Sequence, residues 1–163
     1  MTDTVSPLIA IYADESCLGN GREGNNPGGA GGLIEYAPGG GDRPTRFDYW
    51  LAEPATTNNR MALRSGIEGL RLAAHLCPRT SCRVIFTSDS RYLVDGMTSW
   101  VYEWMRRGWR RKTGAIENLE LWKQLVEAAR AHQVAWRWVR GHAGHPQNEY
   151  ANELATRAAA RQD

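Results

Sequence analysis

The chain has 163 residues, of which 42% are hydrophobic and 23% are charged. That length suffices for one domain with a buried core, and the composition excludes a disordered or membrane-embedded chain. The net charge of +2 is too small to indicate a partner. The length predicts a single domain over residues 1–163. Because the polar N-terminus lacks the pattern of a signal peptide, we expect this domain to be located in the cytoplasm, with no membrane partner.

Three runs in the first half predict strands. Residues 8–13 form an apolar run typical of a central strand, with Asp14 at its C-terminal end. Residues 30–36 and 43–53 predict the second and third strands. The Pro- and Gly-rich segment between them favours an antiparallel hairpin.

The second half alternates strands with helices. Residues 83–87 predict a fourth strand, closely followed by Asp89, and residues 134–139 predict a fifth. Helices are predicted from Asn58 or Asn59, as the cap, to about Leu76, and over residues 91–98, 100–107, 117–130 and 149–161. This order implies parallel strands added to an antiparallel first half, and therefore a mixed α/β sheet with helices packed on it.

The three cysteines are Cys17, Cys77 and Cys82. They contain no CxxC pair, and one of them would remain unpaired in any bridging scheme. This favours free thiols in a reducing compartment.

Two acids follow predicted strands. If the strands that precede Asp14 and Asp89 are neighbours, their carboxylates converge, and that arrangement costs free energy unless a cation neutralises it. Oxygen ligands of this kind suit Mg²⁺ or Mn²⁺. The alternative is that each aspartate merely caps the next helix, and the residues alone leave both interpretations open.

A basic stretch interleaved with aromatic residues follows the fourth strand. Such a combination can hold a phosphate backbone and pack against sugars or bases. The alternative is a solvated charged face with tryptophans in the core. The residues concerned are Trp100, Trp104, Arg106, Arg107, Trp109, Arg110, Arg111 and Lys112.

Six motifs in order resemble those of type 1 ribonucleases H along nearly the whole chain. They are Asp14 with residues 16–20, then residues 56–61, 87–90, 104–109, 118–122 and 138–149. The resemblance implies a ribonuclease H-like fold, with a five-stranded mixed sheet of three antiparallel and then two parallel strands, flanked by helices and carrying a basic helical protrusion. It also implies cleavage of the RNA strand of RNA–DNA hybrids by a monomer with two divalent metal ions, leaving 3′-hydroxyl and 5′-phosphate ends.

Roles can be carried over by position. Asp14 matches the acid that contacts both metals, Asp89 matches the acid ending the fourth strand, and His142 matches the loop histidine that assists proton transfer or product release. Contacts with the hybrid are implied for Asn20, Thr57, Asn58 and Asn59. The protrusion that grips the DNA strand corresponds to Trp100, Trp104, Arg106, Arg107, Trp109, Arg110, Arg111 and Lys112.

Three positions depart from the family pattern. Ala62 stands where the family has glutamate, and Asn152 stands where it has aspartate, although an asparagine oxygen can still bind a metal weakly. Glu15 replaces the usual glycine after Asp14, and we hypothesise that it restores the lost charge at the metal site. The competing interpretation is that Glu15 points away, because adjacent strand residues face opposite sides.

Two functions therefore stay open. The first is a metal-dependent ribonuclease H whose activity is reduced by Ala62 and Asn152, and the second is a hybrid-binding protein that is catalytically impaired but keeps the docking surface. We also expect His145 to be a structural residue of its loop, and His75 and His132 to be surface residues.

Overall fold

The computed structural model describes residues 7–19, 26–39, 43–78, 81–141 and 144–161. Within these residues the strands are β1 (Leu8–Cys17), β2 (Gly28–Ala37), β3 (Thr45–Glu53), β4 (Arg83–Ser88) and β5 (Gln133–Trp138). The helices are α1 (Asn58–Leu76), α2 (Arg91–Asp95), α3 (Val101–Arg106), α4 (Leu119–Arg130) and α5 (Pro146–Ala160). None of the described helices has the length and apolar character needed to cross a membrane.

The strands of the described chain form one five-stranded sheet in the order β3-β2-β1-β4-β5. The pairs β1–β2 and β2–β3 are antiparallel, whereas β1–β4 and β4–β5 are parallel. Parallel neighbours need long crossover connections, and helices supply them in the second half of the chain. The predicted mixed sheet is confirmed, and β1 and β4 are indeed neighbours.

Helices cover both faces of the sheet. On one face, α1 packs its apolar side onto β1, with Ile11, Leu63 and Leu70 fully buried. On the other face, α5 approaches β2 so closely that a Cβ at Gly29 would lie 2.3 Å from the Ala155 carbonyl oxygen. The glycines of β2 therefore allow α5 to lie directly on the sheet, and this brings the side chains of α5 to β1.

Two local predictions need correction. Asp14 does not end its strand, because the pairing of β1 with β2 continues to Cys17 opposite Gly28. The cap of α1 is Thr57 rather than either asparagine after it, since its hydroxyl oxygen accepts a hydrogen bond from the Arg60 amide at 3.1 Å.

The predicted helices over residues 91–98 and 100–107 are joined more closely than expected. A π-helical turn, Gly96–Trp100, connects α2 to α3 without a break. A Cβ at Gly96 would lie 2.0 Å from the Trp122 ring. The absence of a side chain at this position therefore lets the turn pack against the tryptophan of α4.

The expectation of free thiols is wrong for two of the three cysteines. Cys77, after α1, and Cys82, before β4, form a disulfide with a Cα–Cα distance of 6.2 Å. The two cysteines are five residues apart in the sequence. Cys17 is a free thiol that donates to the Thr56 carbonyl oxygen at 3.4 Å.

The two histidines expected at the surface differ in burial. His75 is exposed, as predicted. His132 is buried, so its prediction is wrong. It lies beside the disulfide, and its Nδ1 accepts from the Cys82 amide at 3.4 Å. Burial lowers the pKa of His132, although a hydrogen bond involving the backbone of Leu70 opposes the shift.

Candidate active site

Three carboxylates converge where β1 and β4 lie side by side. Asp14 and Glu15 belong to β1, and Asp89 directly follows β4. One oxygen atom of each lies within 4.8 Å of the others. The parallel pairing of the two strands, which runs as far as Ala13 opposite Ser88, produces this convergence. The hypothesis that a cation site lies at these strand ends therefore has the required geometry.

Glu15 does not point away from the site, so the interpretation based on strand alternation is wrong. The parallel pairing with β4 ends at Ala13, and beyond it β1 keeps only its antiparallel partner, β2. The backbone amide of Glu15 donates to the Asp14 carboxylate at 2.8 Å. The carboxylates of these adjacent residues therefore belong to one cluster, beside the point where the pairing with β4 ends.

The cluster raises the pKa of two of its acids, Asp14 and Glu15. Burial, followed by repulsion from Asp89, raises the pKa of Asp14 from 3.8 to about 6, against hydrogen bonds from Glu15 and Asn152 that lower it. Burial also raises the pKa of Glu15 well above its ordinary value, and the charges of Asp14 and Asp89 add to the effect. A cluster of this kind is stable in its charged form only when a cation neutralises it.

Asn152 reaches the cluster from α5, where it lines the same cavity as Asp14 and its side chain lowers the pKa of that acid. The position predicted by resemblance is therefore in the site. It contributes a neutral group where a fourth acid would have added more repulsion.

A small cavity extends from the acids towards the start of α5. Its volume is about 70 Å³, which is too small for a nucleotide. Both side-chain polar atoms of Asn148 are buried there without a protein partner within the described residues. The cavity is lined by Asp14, Asp89, Val139, Arg140, Gly141, His145, Asn148, Glu149 and Asn152. The carboxylate and amide oxygens among these residues suit a hard divalent cation such as Mg²⁺ or Mn²⁺.

Other predicted site residues lie apart from the acids or outside the described chain. Ala62 is buried in the apolar core, so α1 supplies no carboxylate at that position. His142 and Asn20 lie outside the described residues. The residue before His142 does approach the site, because a Cβ at Gly141 would lie 2.8 Å from Oδ2 of Asp89.

The residues at the start of α1 form a separate group that does not line the acid cavity. Thr57 caps the helix, Asn59 is exposed, and Asn58 is half-buried. The Oδ1 atom of Asn58 is buried without a partner in the described part of the chain. These three side chains lie together, as contacts with a single ligand would require.

Sequence reasoning missed the ion pairs that hold this group in place. Glu53, at the end of β3, accepts from Arg60 at 2.8 and 3.0 Å and pairs with Arg64 at 3.1 Å. Burial alone would raise the pKa of Glu53, but hydrogen bonds from Arg60 and Thr56 and the charges of both arginines lower it below its ordinary value. The spacing of the two arginines, one turn apart on α1, was the available signal.

The basic protrusion shows features of both interpretations of its sequence, a packed aromatic cluster and a set of exposed cations. The centroid of the Trp100 ring lies 5.8 to 6.3 Å from the ring centroids of Tyr92, Trp104 and Trp122, so the tryptophans pack as an aromatic cluster. Two of the cations, Arg106 and Arg107, pair with Glu103 at 2.6 and 2.9 Å. The cations at the tip are exposed, namely Arg110, Arg111 and Lys112.

Comparison with known proteins gives the family. The family model for RNase H matches residues 7–160. The ribonuclease H of Pseudomonas putida (strain W619) is 40% identical over 156 residues, covering 94% of each chain. The chain belongs to the ribonuclease H family. The ribonuclease H of Shewanella sp. (strain ANA-3) is 42% identical, over 93% of this chain and 87% of its own.

Solved structures agree with this assignment. LC9-RNase H1, a type 1 RNase H with the type 2 active-site motif, is 64% identical, with a TM-score of 0.87, over 99% of this chain and 76% of that one. LC11-RNase H1 in complex with RNA/DNA hybrid shares the fold, with a TM-score of 0.67 at 18% identity, over 93% of this chain and 96% of that one. The predicted type 1 resemblance, ribonuclease H-like fold and enzyme class are confirmed. Ribonucleases H are endoribonucleases that hydrolyse the RNA strand of RNA–DNA hybrids and generally depend on divalent metal ions.

Proposed function

We propose that this protein is a nuclease dependent on Mg²⁺ or Mn²⁺ that cuts the RNA strand of RNA–DNA hybrids and leaves 5′-phosphate and 3′-hydroxyl ends. The observation that carries the proposal is the convergence of Asp14, Glu15 and Asp89 where the parallel pairing of β1 with β4 ends. Membership of the ribonuclease H family supports the substrate class.

Glu15 takes the place of the acid that Ala62 cannot supply. Its carboxylate joins the cluster from β1, while α1 contributes only a methyl group to the core. The 64% identical LC9-RNase H1 is a type 1 RNase H with the type 2 active-site motif. That relative supports an active site on this fold whose acids differ from the usual type 1 set.

Asp14, Glu15 and Asp89 would hold two divalent ions, and Asn152 would steady Asp14 through its amide. When bound, the ions supply activation of the attacking water and stabilisation of the leaving 3′-oxygen. Asn152 would also serve as a weak ligand through its amide oxygen. His142 would assist proton transfer or product release, the role that the family resemblance implies for it.

The hybrid is held on two further surfaces. Thr57, Asn58 and Asn59 face its minor groove, where ribose 2′-hydroxyls distinguish RNA from DNA, and Asn20 contacts the same duplex. The DNA strand is held by the protrusion, through Trp100, Trp104, Arg106, Arg107, Trp109, Arg110, Arg111 and Lys112. We propose that the protein works as a monomer in the cytoplasm.

A binding protein without catalysis is not favoured. Its support was the loss of two acids at Ala62 and Asn152. The three converging carboxylates offset that loss. They also argue against docking alone, because a surface that only binds a polyanion gains nothing from a partly buried negative cluster.

A cleavage assay on an end-labelled RNA–DNA hybrid tests the proposal. We expect metal-dependent products with Mg²⁺ or Mn²⁺ whose 5′ ends accept a kinase label only after phosphatase treatment. Asp14→Asn serves as the inactive control. If the wild type binds the hybrid but yields no product above that control with either ion, the binding function is correct instead.

A further inference from the structure

Arg91 and Trp138 form a stacked pair beside the acid cluster. The guanidinium carbon of Arg91, the first residue of α2, lies 3.9 Å from the centroid of the Trp138 ring at the end of β5. The same indole donates its Nε1–H to the backbone carbonyl oxygen of Asp89 at 3.0 Å. Two direct contacts therefore connect an arginine to the main chain of a site acid.

Arg91 has no carboxylate within ion-pair distance among the residues that the structure describes. By contrast, many other arginines of the chain are paired with acids; they are Arg46, Arg60, Arg64, Arg106, Arg107, Arg130 and Arg157. Arg91 is also exposed. Its charge is consequently available to a ligand from solution.

Stacking determines which part of the arginine a ligand can use. The face of the guanidinium rests on the indole, so the N–H groups at its edge remain directed outward in a fixed plane. Such an edge matches two oxygens of one phosphate, and little side-chain entropy is lost on binding because the ring already restricts the group.

The location gives this cation a specific use. A phosphate that approaches Asp14, Glu15 and Asp89 meets three carboxylates, and a cation at the border of the cluster offsets part of that repulsion. We propose that Arg91, stacked on Trp138, binds a backbone phosphate of the hybrid next to the cleavage site, and that Trp138 links this contact to the position of Asp89. The inference rests on the proposed function, because its ligand is the hybrid substrate.

Binding measured without cleavage isolates the contribution of Arg91. The affinity for a fluorescent RNA–DNA hybrid is measured in EDTA over a series of KCl concentrations. We expect Arg91→Ala to raise Kd about tenfold at low salt and to reduce the slope of log Kd against log salt by about one, as loss of one phosphate contact requires. Arg91→Lys should keep most of the slope because it keeps the charge.

Arg83→Ala is the matched control. Arg83 is also an exposed arginine, but it begins β4, at the opposite end of the strand from Asp89. The Arg83→Ala substitution should leave the slope of log Kd against log salt unchanged. An equal loss of slope in Arg83→Ala would mean a general charge effect and would overturn the inference.

Trp138→Phe separates positioning from binding. The phenyl ring still stacks with Arg91, but the hydrogen bond to the Asp89 carbonyl is lost. We expect an unchanged salt slope and a kcat about tenfold lower, with little change in KM.

The outcomes distinguish this inference from the proposed function. If the wild type cleaves the hybrid while Arg91→Ala keeps the wild-type salt slope, the pair is surface packing only and the inference is overturned. If Trp138→Phe has the wild-type kcat, the link to Asp89 is overturned. If the wild type neither binds nor cleaves the hybrid, the proposed function fails, and this inference fails with it.

Discussion

Glu15 lies next to Asp14 on β1, yet an oxygen of its carboxylate is within 4.8 Å of one from Asp89, which follows a different strand. Simple alternation along a strand would place Glu15 on the opposite side from Asp14. In the structure the Glu15 carboxylate nevertheless reaches the cluster. An acid supplied by β1 thus occupies the site at which α1, with Ala62, supplies none.

If Glu15 contributes to metal binding, Glu15→Ala should lower hybrid cleavage by about 100-fold or more, because even groups that only orient metal ligands affect activity by about 10–100-fold. Initial rates would be measured over a range of Mn²⁺ concentrations. Glu127→Ala, which removes an exposed glutamate from α4, is the control and should be fully active. Wild-type rates in Glu15→Ala would rule out a role for this acid.

The raised pKa of Asp14 predicts a stability change that depends on pH. In the metal-free protein the folded state holds a proton on Asp14 up to about pH 6, whereas the unfolded chain loses it near 3.8. Ionisation of Asp14 therefore destabilises the fold progressively as the pH rises from about 4 to 6, by about 3 kcal/mol at pH 7. Asp14→Asn should remove this loss of stability at neutral pH.

Urea unfolding at several pH values, in the presence of EDTA, measures the effect. The free energy of unfolding of Asp14→Asn should exceed that of the wild type at pH 7, and the two should approach one another at pH 4. A difference of the same size at both pH values would show that the charge of Asp14 is not its cause.

Asn152→Asp tests why a neutral group contacts Asp14. The substitution replaces a hydrogen-bond donor with a further negative charge in the cluster. We expect the metal-free protein at pH 7 to lose about 1–2 kcal/mol of stability, and metal binding to become tighter because the ion neutralises more charge. Thermal unfolding with and without Mn²⁺ gives both quantities. Equal melting temperatures for the variant and the wild type in EDTA would contradict the expected repulsion.

The Cys77–Cys82 disulfide predicts a modest contribution to stability. It closes a short loop between α1 and β4. Loss of the cross-link in the double variant Cys77→Ser, Cys82→Ser should lower the free energy of unfolding by about 2 kcal/mol, as loop-closure entropy gives for so short a loop. Comparing the oxidised wild type with the wild type in excess reductant separates the effect of the bond from that of the serines. Identical stabilities before and after reduction would show that the bond contributes nothing.

Periodicity and motif order were sufficient to predict the five strands, the long helices and the mixed sheet. These features follow from local patterns of apolar residues, which the tertiary structure preserves. Boundaries were less accurate where hydrogen bonds with other elements decide them. The pairing with β2 extends β1 past Asp14, and the hydroxyl of Thr57 makes it the cap of α1.

What the sequence determined was the supply of chemical groups: two acids near strand ends, a third beside the first, an asparagine on the last helix and a run of arginines and tryptophans. Only the tertiary structure decided which of them meet. Alternation rules act along one strand, whereas the approach of Glu15 to Asp89 brings together a residue of β1 and the residue that follows β4. The stacking of Arg91 on Trp138 likewise joins residues from different elements, and no local pattern encodes such contacts.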